Sequence, residues 1–159
     1  MKLNISEIEL IVYDFDGVMT NNFVFLSEDG TETVKVSRSD GMGVSLLRGK
    51  GIQQIIISTE SNNVVSQRAK KLKIDVIQDC GNKKIELQNY CKDNKISLDK
   101  VIFVGNDLND FDAMNIVGYP ISPADAHPQV KTISHYVTKV KGGEGVIREL
   151  ADVLLKQDI

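Results

Sequence analysis

Five short apolar runs recur along this chain, separated by stretches with helical spacing. The runs lie at 10–13 (Leu-Ile-Val-Tyr), 54–57, 75–77, 101–104 (Val-Ile-Phe-Val) and 117–121. Near-continuous Val and Ile leave no polar face, which suits strands covered by protein on both sides. The intervening stretches, about 40–50, 61–73, 83–95, 107–116 and 144–156, read as helices. Strand and helix in alternation predict an α/β fold: a doubly wound, Rossmann-like parallel sheet with right-handed crossovers.

One stretch interrupts the alternation. Residues 22–36 hold two β-like runs around Glu28-Asp29-Gly30, and Asp-Gly between such runs is a hairpin signal. The hairpin follows the first strand, so it projects from the C-terminal edge of the sheet, where doubly wound folds bind ligands. No repeat, low-complexity tract or linker rich in Pro, Gly or Ser divides the rest. A single domain over 1–159 is expected, with the hairpin as its insertion.

Composition excludes some functions. A net charge of -3 and a pI near 5.4 give no electrostatic case for a nucleic-acid partner. No apolar run approaches the roughly 20 residues that cross a bilayer, so no membrane association is expected. The opening MKLNISEIEL carries acidic residues where a signal peptide is apolar. Cys80 and Cys91 form no C-x-x-C pair and read as reduced packing residues. A cytoplasmic protein is the resulting expectation.

The strand ends concentrate the chemistry. The first run ends in Asp14 and Asp16, two carboxylates spaced to point the same way, which are costly to bury without a cation. The second ends in Ser58-Thr59-Glu60. The third leads to Gln78-Asp79-Cys80-Gly81-Asn82-Lys83, and the fourth to Gly105-Asn106-Asp107-Leu108-Asn109-Asp110. In a parallel sheet all four clusters meet on one rim. Carboxylates, a hydroxyl and a lysine gathered there are what Mg²⁺ and a phosphoryl group require. An Asp there can serve as nucleophile through an aspartyl-phosphate. Two other readings fail: an EF-hand needs an oxygen ligand where Val18 stands, and Gly41-Met-Gly43 has Leu46 where a dinucleotide fingerprint needs its third glycine.

In this order the clusters resemble the haloacid dehalogenase superfamily of phosphatases. Asp14-Phe-Asp16-Gly-Val is similar to its first motif, Ser58 to the second, Lys83 to the third and Gly105-Asn-Asp107-Leu-Asn-Asp110 to the fourth. No cap domain is expected, because only the hairpin stands where a cap would be inserted. That resembles the capless branch, which includes 3-deoxy-D-manno-octulosonate 8-phosphate and nonulosonate (KDN or N-acylneuraminate) 9-phosphate phosphatases. Ser39-Asp40-Gly41-Met-Gly43, Ala124-Asp125-Ala126-His127-Pro128 and Gly142-Gly143-Glu144-Gly145 fit the same branch.

The resemblance implies roles. Asp14 is the expected nucleophile and Asp16 the acid and base. Mg²⁺ is held by Asp14, the Asp16 carbonyl and Asp107. Ser58 and Lys83 bind phosphate, with Asp110 and Asn106 behind them. Many relatives carry Asp where this chain has Asn106, so the ligand within Asn106-Asp107 stays open. Octulosonate phosphatases usually show Thr-Gly-Arg where this chain has Ser58-Thr59-Glu60, and an acidic residue there resembles the nonulosonate branch. That branch implies Glu60, Arg68 and Lys71 as binders of the sugar acid. From spacing alone, Arg68 runs along the apolar stripe of Val64, Val65, Ala69 and Leu72 as a snorkelling side chain, with Lys71 solvated beside it. Family members are typically homotetramers whose hairpins pack together and whose active sites are shared between subunits.

The expected activity is therefore Mg²⁺-dependent hydrolysis of a 2-keto-3-deoxy sugar acid phosphate, the nine-carbon 9-phosphate ahead of the eight-carbon 8-phosphate. Two other classes compete. One is a non-catalytic oligomerisation module like the domain attached to some CMP-sialic acid synthetases, which has no physical need for paired carboxylates. The other is a phosphoacceptor switch, against which Asp16 supplies a base for hydrolysis. His127 is expected to be structural.

Overall fold

The computed structural model describes residues 4–155. In chain order it runs β1 (Leu10–Tyr13), β2 (Phe25–Leu26), β3 (Glu32–Thr33), α1 (Arg38–Gly49), β4 (Gln53–Ile57), α2 (Asn63–Leu72) and β5 (Asp75–Ile77). It continues through α3 (Lys83–Asn94), β6 (Val101–Val104), α4 (Leu108–Met114), β7 (Tyr119–Ser122), α5 (Pro128–Ile133), β8 (Tyr136–Val137) and α6 (Val146–Leu155). The main sheet has the order β5-β4-β1-β6-β7-β8, and every pair in it is parallel. The chain builds outward from β1 on one side, then returns to β6 on the other. The crevice beyond the C-terminal ends of β1 and β6 is thus the switch point of the sheet.

Alternate residues of each strand face opposite layers. Ile11, Tyr13, Ile56 and Ile102 pack with Val44, Leu47, Val65, Ile147 and Leu150 from α1, α2 and α6. Leu10, Val12, Ile55 and Phe103 pack with Leu87, Cys91, Met114 and Val130 from α3, α4 and α5. Both faces are covered, which explains the continuous Val/Ile runs. Gly43 lets α1 and α6 cross closely: a Cβ there would stand 2.7 Å from the Ile147 carbonyl oxygen. Tyr13 donates to Gln54 Oε1 at 2.7 Å, and Gln54 Nε2 donates to the Val44 carbonyl at 3.0 Å, so this polar pair is satisfied inside the core.

The five expected strands and five expected helices lie where the sequence put them, within two residues at each described end; the expected end of the last helix, 156, lies outside the described residues. The expected 117–121 strand begins later, at Tyr119. The Gly118 N–H bonds the Leu98 carbonyl at 2.9 Å, tying that residue to the turn before β6 instead of the sheet. α5 and β8 are additional. α5 is capped by His127, whose Nδ1 accepts the Gln129 N–H at 3.3 Å. The 22–36 insertion is a hairpin with only two paired residues in each strand, Phe25 opposite Thr33 and Leu26 opposite Glu32. Gly30, at φ +83°, turns it, and a Thr20–Val36 bridge closes its base. No cap domain is present among the described residues. No helix among them is long and apolar enough to cross a membrane.

Asp40 ties α1 to α6. Its Oδ1 accepts the N–H groups of Ile147 at 3.0 Å and Arg148 at 3.3 Å, while its buried Oδ2 has no partner. Burial pushes the carboxyl up to about 6, against the Arg148 and Ile147 N–H bonds and the Arg68 charge. The folded value lies above the unfolded one, so the stabilising proton is fully held below about pH 4 and lost as pH rises through about 6. Asp40→Asn keeps the acceptor and removes the titration. Measured by urea unfolding from pH 4 to pH 7, wild type should lose about 1–3 kcal/mol relative to Asp40→Asn. A difference that stays flat over that range would refute the assignment.

Candidate active site

Lys83 is the centre of the rim. It stands at the start of α3, 2 % exposed, with Nζ 2.5 Å from Asp14 Oδ1 and 2.6 Å from Asp110 Oδ1. Asp14 follows β1, and its N–H bonds the Val104 carbonyl at the end of β6. Asp110 belongs to α4, where its Oδ2 accepts the N–H of Asn106 at 2.9 Å and of Asp107 at 3.3 Å. One ammonium therefore joins three segments that are distant in sequence. Burial opposes its charge, but Asp14 and Asp110 overcome that and raise it. Burial pushes Asp14 up to about 7, Asp110 adds to this and Lys83 opposes both. A further cation beside Asp14 would hold it ionised.

Asp16 is half-buried. Burial raises it, and the Glu60 charge adds to that, while a hydrogen bond donated by Thr20 Oγ1 at 3.2 Å works the other way. Two carboxyls held in different surroundings can take the separate roles of acid and nucleophile. Ser58, after β4, is buried and borders the same small cavity as Asp14, Asp16 and Asn106. That cavity measures about 110 Å³, a few water volumes, which is room for a phosphoryl group and not for a sugar.

The heads of Asn106 and Asp14 converge with the backbone carbonyl of Asp16. The Asn106 amide head lies 2.9 Å from Asp14 Oδ2 and 3.0 Å from the Asp16 carbonyl oxygen. With Oδ1 toward them, the amide oxygen stands against each of the two acceptor oxygens with no proton between. Neighbouring ligands of an octahedral ion at roughly 2.0–2.1 Å stand about 2.9–3.0 Å apart, the spacing seen here. The trio therefore fits a small hard cation. No group of three His, Cys, Asp or Glu side chains among the described residues could hold a metal; a backbone carbonyl and an amide complete this set instead.

The fourth motif turns Asn106, not Asp107, toward Asp14 and the Asp16 carbonyl. Asp107, expected as the metal ligand, is exposed and turns its Oδ1 to the Leu108 N–H at 2.7 Å, capping α4. It borders the cavity. Asn106, expected behind the site, has its head between Asp14 and Asp16. The cause is the capping box: with Asp107 at the helix N-cap and Asp110 closing it, Asn106 is the residue of this loop turned toward β1.

The structure brings Asp14, Asp16, Ser58, Lys83, Asn106, Asp107 and Asp110 together on this rim. It places Arg68 and Lys71 elsewhere. They line a separate cleft of about 450 Å³ between α1 and α2, with Arg38, Arg48 and Lys73. Arg68 donates to the Ser37 carbonyl at 2.8 Å, and its buried Nε has no partner. Glu60 does not border the small cavity; its Oε1 accepts the N–H groups of Ser61 at 2.9 Å and Asn62 at 3.0 Å. Asn22, Thr59 and Asn109 border the cavity without having been singled out. Asn22 lies four residues past Asp14-Phe-Asp16-Gly-Val and carries no signal of its own, while Asn109 lies inside Gly105-Asn-Asp107-Leu-Asn-Asp110. Thr59 lies inside Ser58-Thr59-Glu60.

A family model of haloacid dehalogenase-like hydrolases matches residues 46–150. The chain is a haloacid dehalogenase-like hydrolase. Its similar curated relatives are phosphatases. The 3-deoxy-D-manno-octulosonate 8-phosphate phosphatase of Yersinia pestis is 32% identical over 155 residues, 96% of this chain and 83% of that protein. The enzyme of the same name from Escherichia coli K12 is 32% identical over 151 residues, covering 94% of this chain and 80% of that one. Among solved structures, a HAD-family protein of Streptomyces avermitilis superposes with a TM-score of 0.96 at 40% identity, over 99% of this chain and 91% of its own. The Moraxella catarrhalis 3-deoxy-D-manno-octulosonate 8-phosphate phosphatase, solved with magnesium, phosphate and KDO, gives a TM-score of 0.91 at 33% identity, over 96% and 88% of the two chains.

In this hydrolase the Lys83 bridge also holds the fold. Lys83→Met would leave two buried carboxylates facing each other. It should lower the unfolding free energy by about 3–5 kcal/mol, because a broken buried pair leaves an uncompensated charge. Adding Asp110→Asn should recover part of that loss. Urea denaturation of the single and double variants checks both; a loss below about 1 kcal/mol would show that the bridge carries little stability.

Proposed function

We propose that this hydrolase is a Mg²⁺-dependent phosphomonoesterase acting on a 2-keto-3-deoxy sugar acid phosphate. The observation that carries the reading is the small cavity where Asp14, Asp16 and Ser58 meet, with Lys83 bound to Asp14. Asp14 attacks phosphorus, and the bond from phosphorus to the sugar oxygen breaks. Asp16 gives its proton to the departing alkoxide. It then takes a proton from water, whose oxygen attacks the aspartyl-phosphate and frees Asp14. Lys83 and Ser58 bind the phosphoryl oxygens, and Asp110 keeps Lys83 charged and in place. Asp14, the Asp16 carbonyl and Asn106 would hold Mg²⁺, which supplies charge neutralisation between the carboxylate and the phosphate. Asn106 replaces Asp107 as the third ligand because its head, not that of Asp107, faces the other two donors.

The preferred substrate in this reading is a nonulosonate (KDN or N-acylneuraminate) 9-phosphate. Glu60 follows Ser58 by two residues, and its Oε2 has no donor among the described residues, so it can accept sugar hydroxyls. Arg68 and Lys71 suit the sugar carboxylate. Lying outside the small cavity, they would meet the substrate of a neighbouring subunit. A homotetramer with shared sites accounts for that separation. It also accounts for the hairpin, whose Phe23, Phe25 and Leu26 are 73%, 70% and 69% exposed. The second reading is the octulosonate 8-phosphate, favoured by the names of the curated relatives. A cytoplasmic setting belongs to either reading, with Cys80 and Cys91 free and buried.

Two measurements test this. Phosphate release from matched nine-carbon and eight-carbon keto-deoxy acid phosphates should be Mg²⁺-dependent, suppressed by EDTA and faster for the nine-carbon compound. Asp14→Asn should lower it by at least about 10³-fold with the fold intact. A preference for the eight-carbon compound selects the second reading, and release unaffected by Asp14→Asn rejects the mechanism. Sedimentation should give a tetramer that Phe25→Asp with Leu26→Asp dissociates; a wild-type monomer refutes the shared site.

A further inference from the structure

Asn106 is tightly placed, yet its head has two usable orientations. Its backbone N–H donates to Asp110 Oδ2 at 2.9 Å, and its carbonyl accepts the His127 N–H at 2.7 Å, which fixes the main chain from both sides. The side chain lies over Gly17, where a Cβ would fall 1.9 Å from the amide nitrogen position and 2.5 Å from Cγ. Gly17, at φ +86°, is thus the residue that gives the amide its place. The head touches Asp14 Oδ2 at 2.9 Å and the Asp16 carbonyl at 3.0 Å. With Oδ1 toward them, it completes three oxygens that only a cation holds together, and its Nδ2 faces only other donors. Turned over, Nδ2 donates one hydrogen to each oxygen and satisfies both.

We infer that Asn106 is a neutral and reversible ligand: its amide offers Oδ1 to a divalent cation and, rotated by half a turn, replaces that cation with two N–H bonds to the same oxygens. The inference rests on the reading that a cation binds between Asp14 and Asp16, and it concerns what this chain's amide adds to that site. A carboxylate at 106 could not do the same. It has no proton to donate when ionised, and it would place a third negative charge beside Asp14 and Asp16, with Asp110 behind. Divalent affinity rises with the charge of the donor set. The amide therefore trades affinity for a site whose buried acceptors stay hydrogen-bonded whether or not the ion is present. The ion becomes a readily exchanged partner of the fold and not a condition of it.

The test is metal binding and thermal unfolding of the full chain, with no turnover involved. Mn²⁺ binding followed by electron paramagnetic resonance, with Mg²⁺ as competitor, should be about 10–100-fold tighter in Asn106→Asp than in wild type. In EDTA, Asn106→Asp should melt several degrees below wild type, and saturating Mg²⁺ should raise its melting temperature far more than that of wild type. A measurement on wild type needs no variant: the Asn106 side-chain amide protons should exchange slowly in EDTA and quickly once Mg²⁺ is added. Wild type that binds no Mn²⁺ overturns both this inference and the metal reading beneath it. Wild type that binds, with Asn106→Asp no tighter, or with amide exchange indifferent to Mg²⁺, overturns the inference alone.

Discussion

The bridge from Asp14 through Lys83 to Asp110 is the interaction on which the rest of the site depends. Burying an ammonium and two carboxylates costs several kcal/mol per ion unless each charge is met by geometry that repays it. Here Lys83 meets both carboxylates at 2.5–2.6 Å, and the far oxygen of Asp110 takes two backbone N–H groups. The bridge fixes the end of β1, the start of α3 and the start of α4 relative to one another. Those three ends are also what the parallel sheet brings to its switch point. Fold and chemistry thus share one constraint: the charges that hold the rim together are the charges a phosphoryl group would meet.

The parts of the fold that were legible in the sequence are those with one physical cause. β1 and β6 were readable because a strand covered on both faces has no polar position to confuse the pattern. The hairpin was readable from Asp29-Gly30, since a tight turn needs a residue that tolerates positive φ. β8 was not, because Tyr136–Val137 is too short to show a period and takes its place only through β7. The first residue of β7 was displaced because Gly118 is claimed by the turn before β6, a tertiary contact with no local sign.

The site shows the same division. Asp14, Ser58 and Lys83 could be placed on one rim by counting strand ends, because a parallel sheet gathers the residues after its strands. Which of Asn106 and Asp107 faces Asp14 and the Asp16 carbonyl depends on helix geometry. Asp107 is the better ligand by charge, but it is also a favourable N-cap three residues before Asp110, and the capping box takes it. Arg68 and Lys71 could be placed on one flank of α2 from spacing, yet spacing could not say that this flank opens on a cleft lined by α1 and α2.

That separation bears on how such a small hydrolase could select a substrate. The cavity at the carboxylates, about 110 Å³, holds little more than a phosphoryl group. No cap covers it among the described residues, so the organic part of any phosphate ester must extend past the rim. Discrimination then has to come from residues that this chain holds away from its own cavity, or from another copy. The α1–α2 cleft has five cations among its lining residues and no carboxylate, in a chain whose net charge is -3. Like charges gathered against the average of the chain repel one another unless an anion joins them. Beside it, the hairpin leaves apolar side chains on a two-stranded ribbon that is marginal alone. The cleft, whose Arg68 is met by the charge of Asp40, leaves an excess of positive charge, and the hairpin leaves apolar surface in water. An anionic group would settle against the first and an apolar surface against the second, which is the physical content of the proposed sharing of sites between copies.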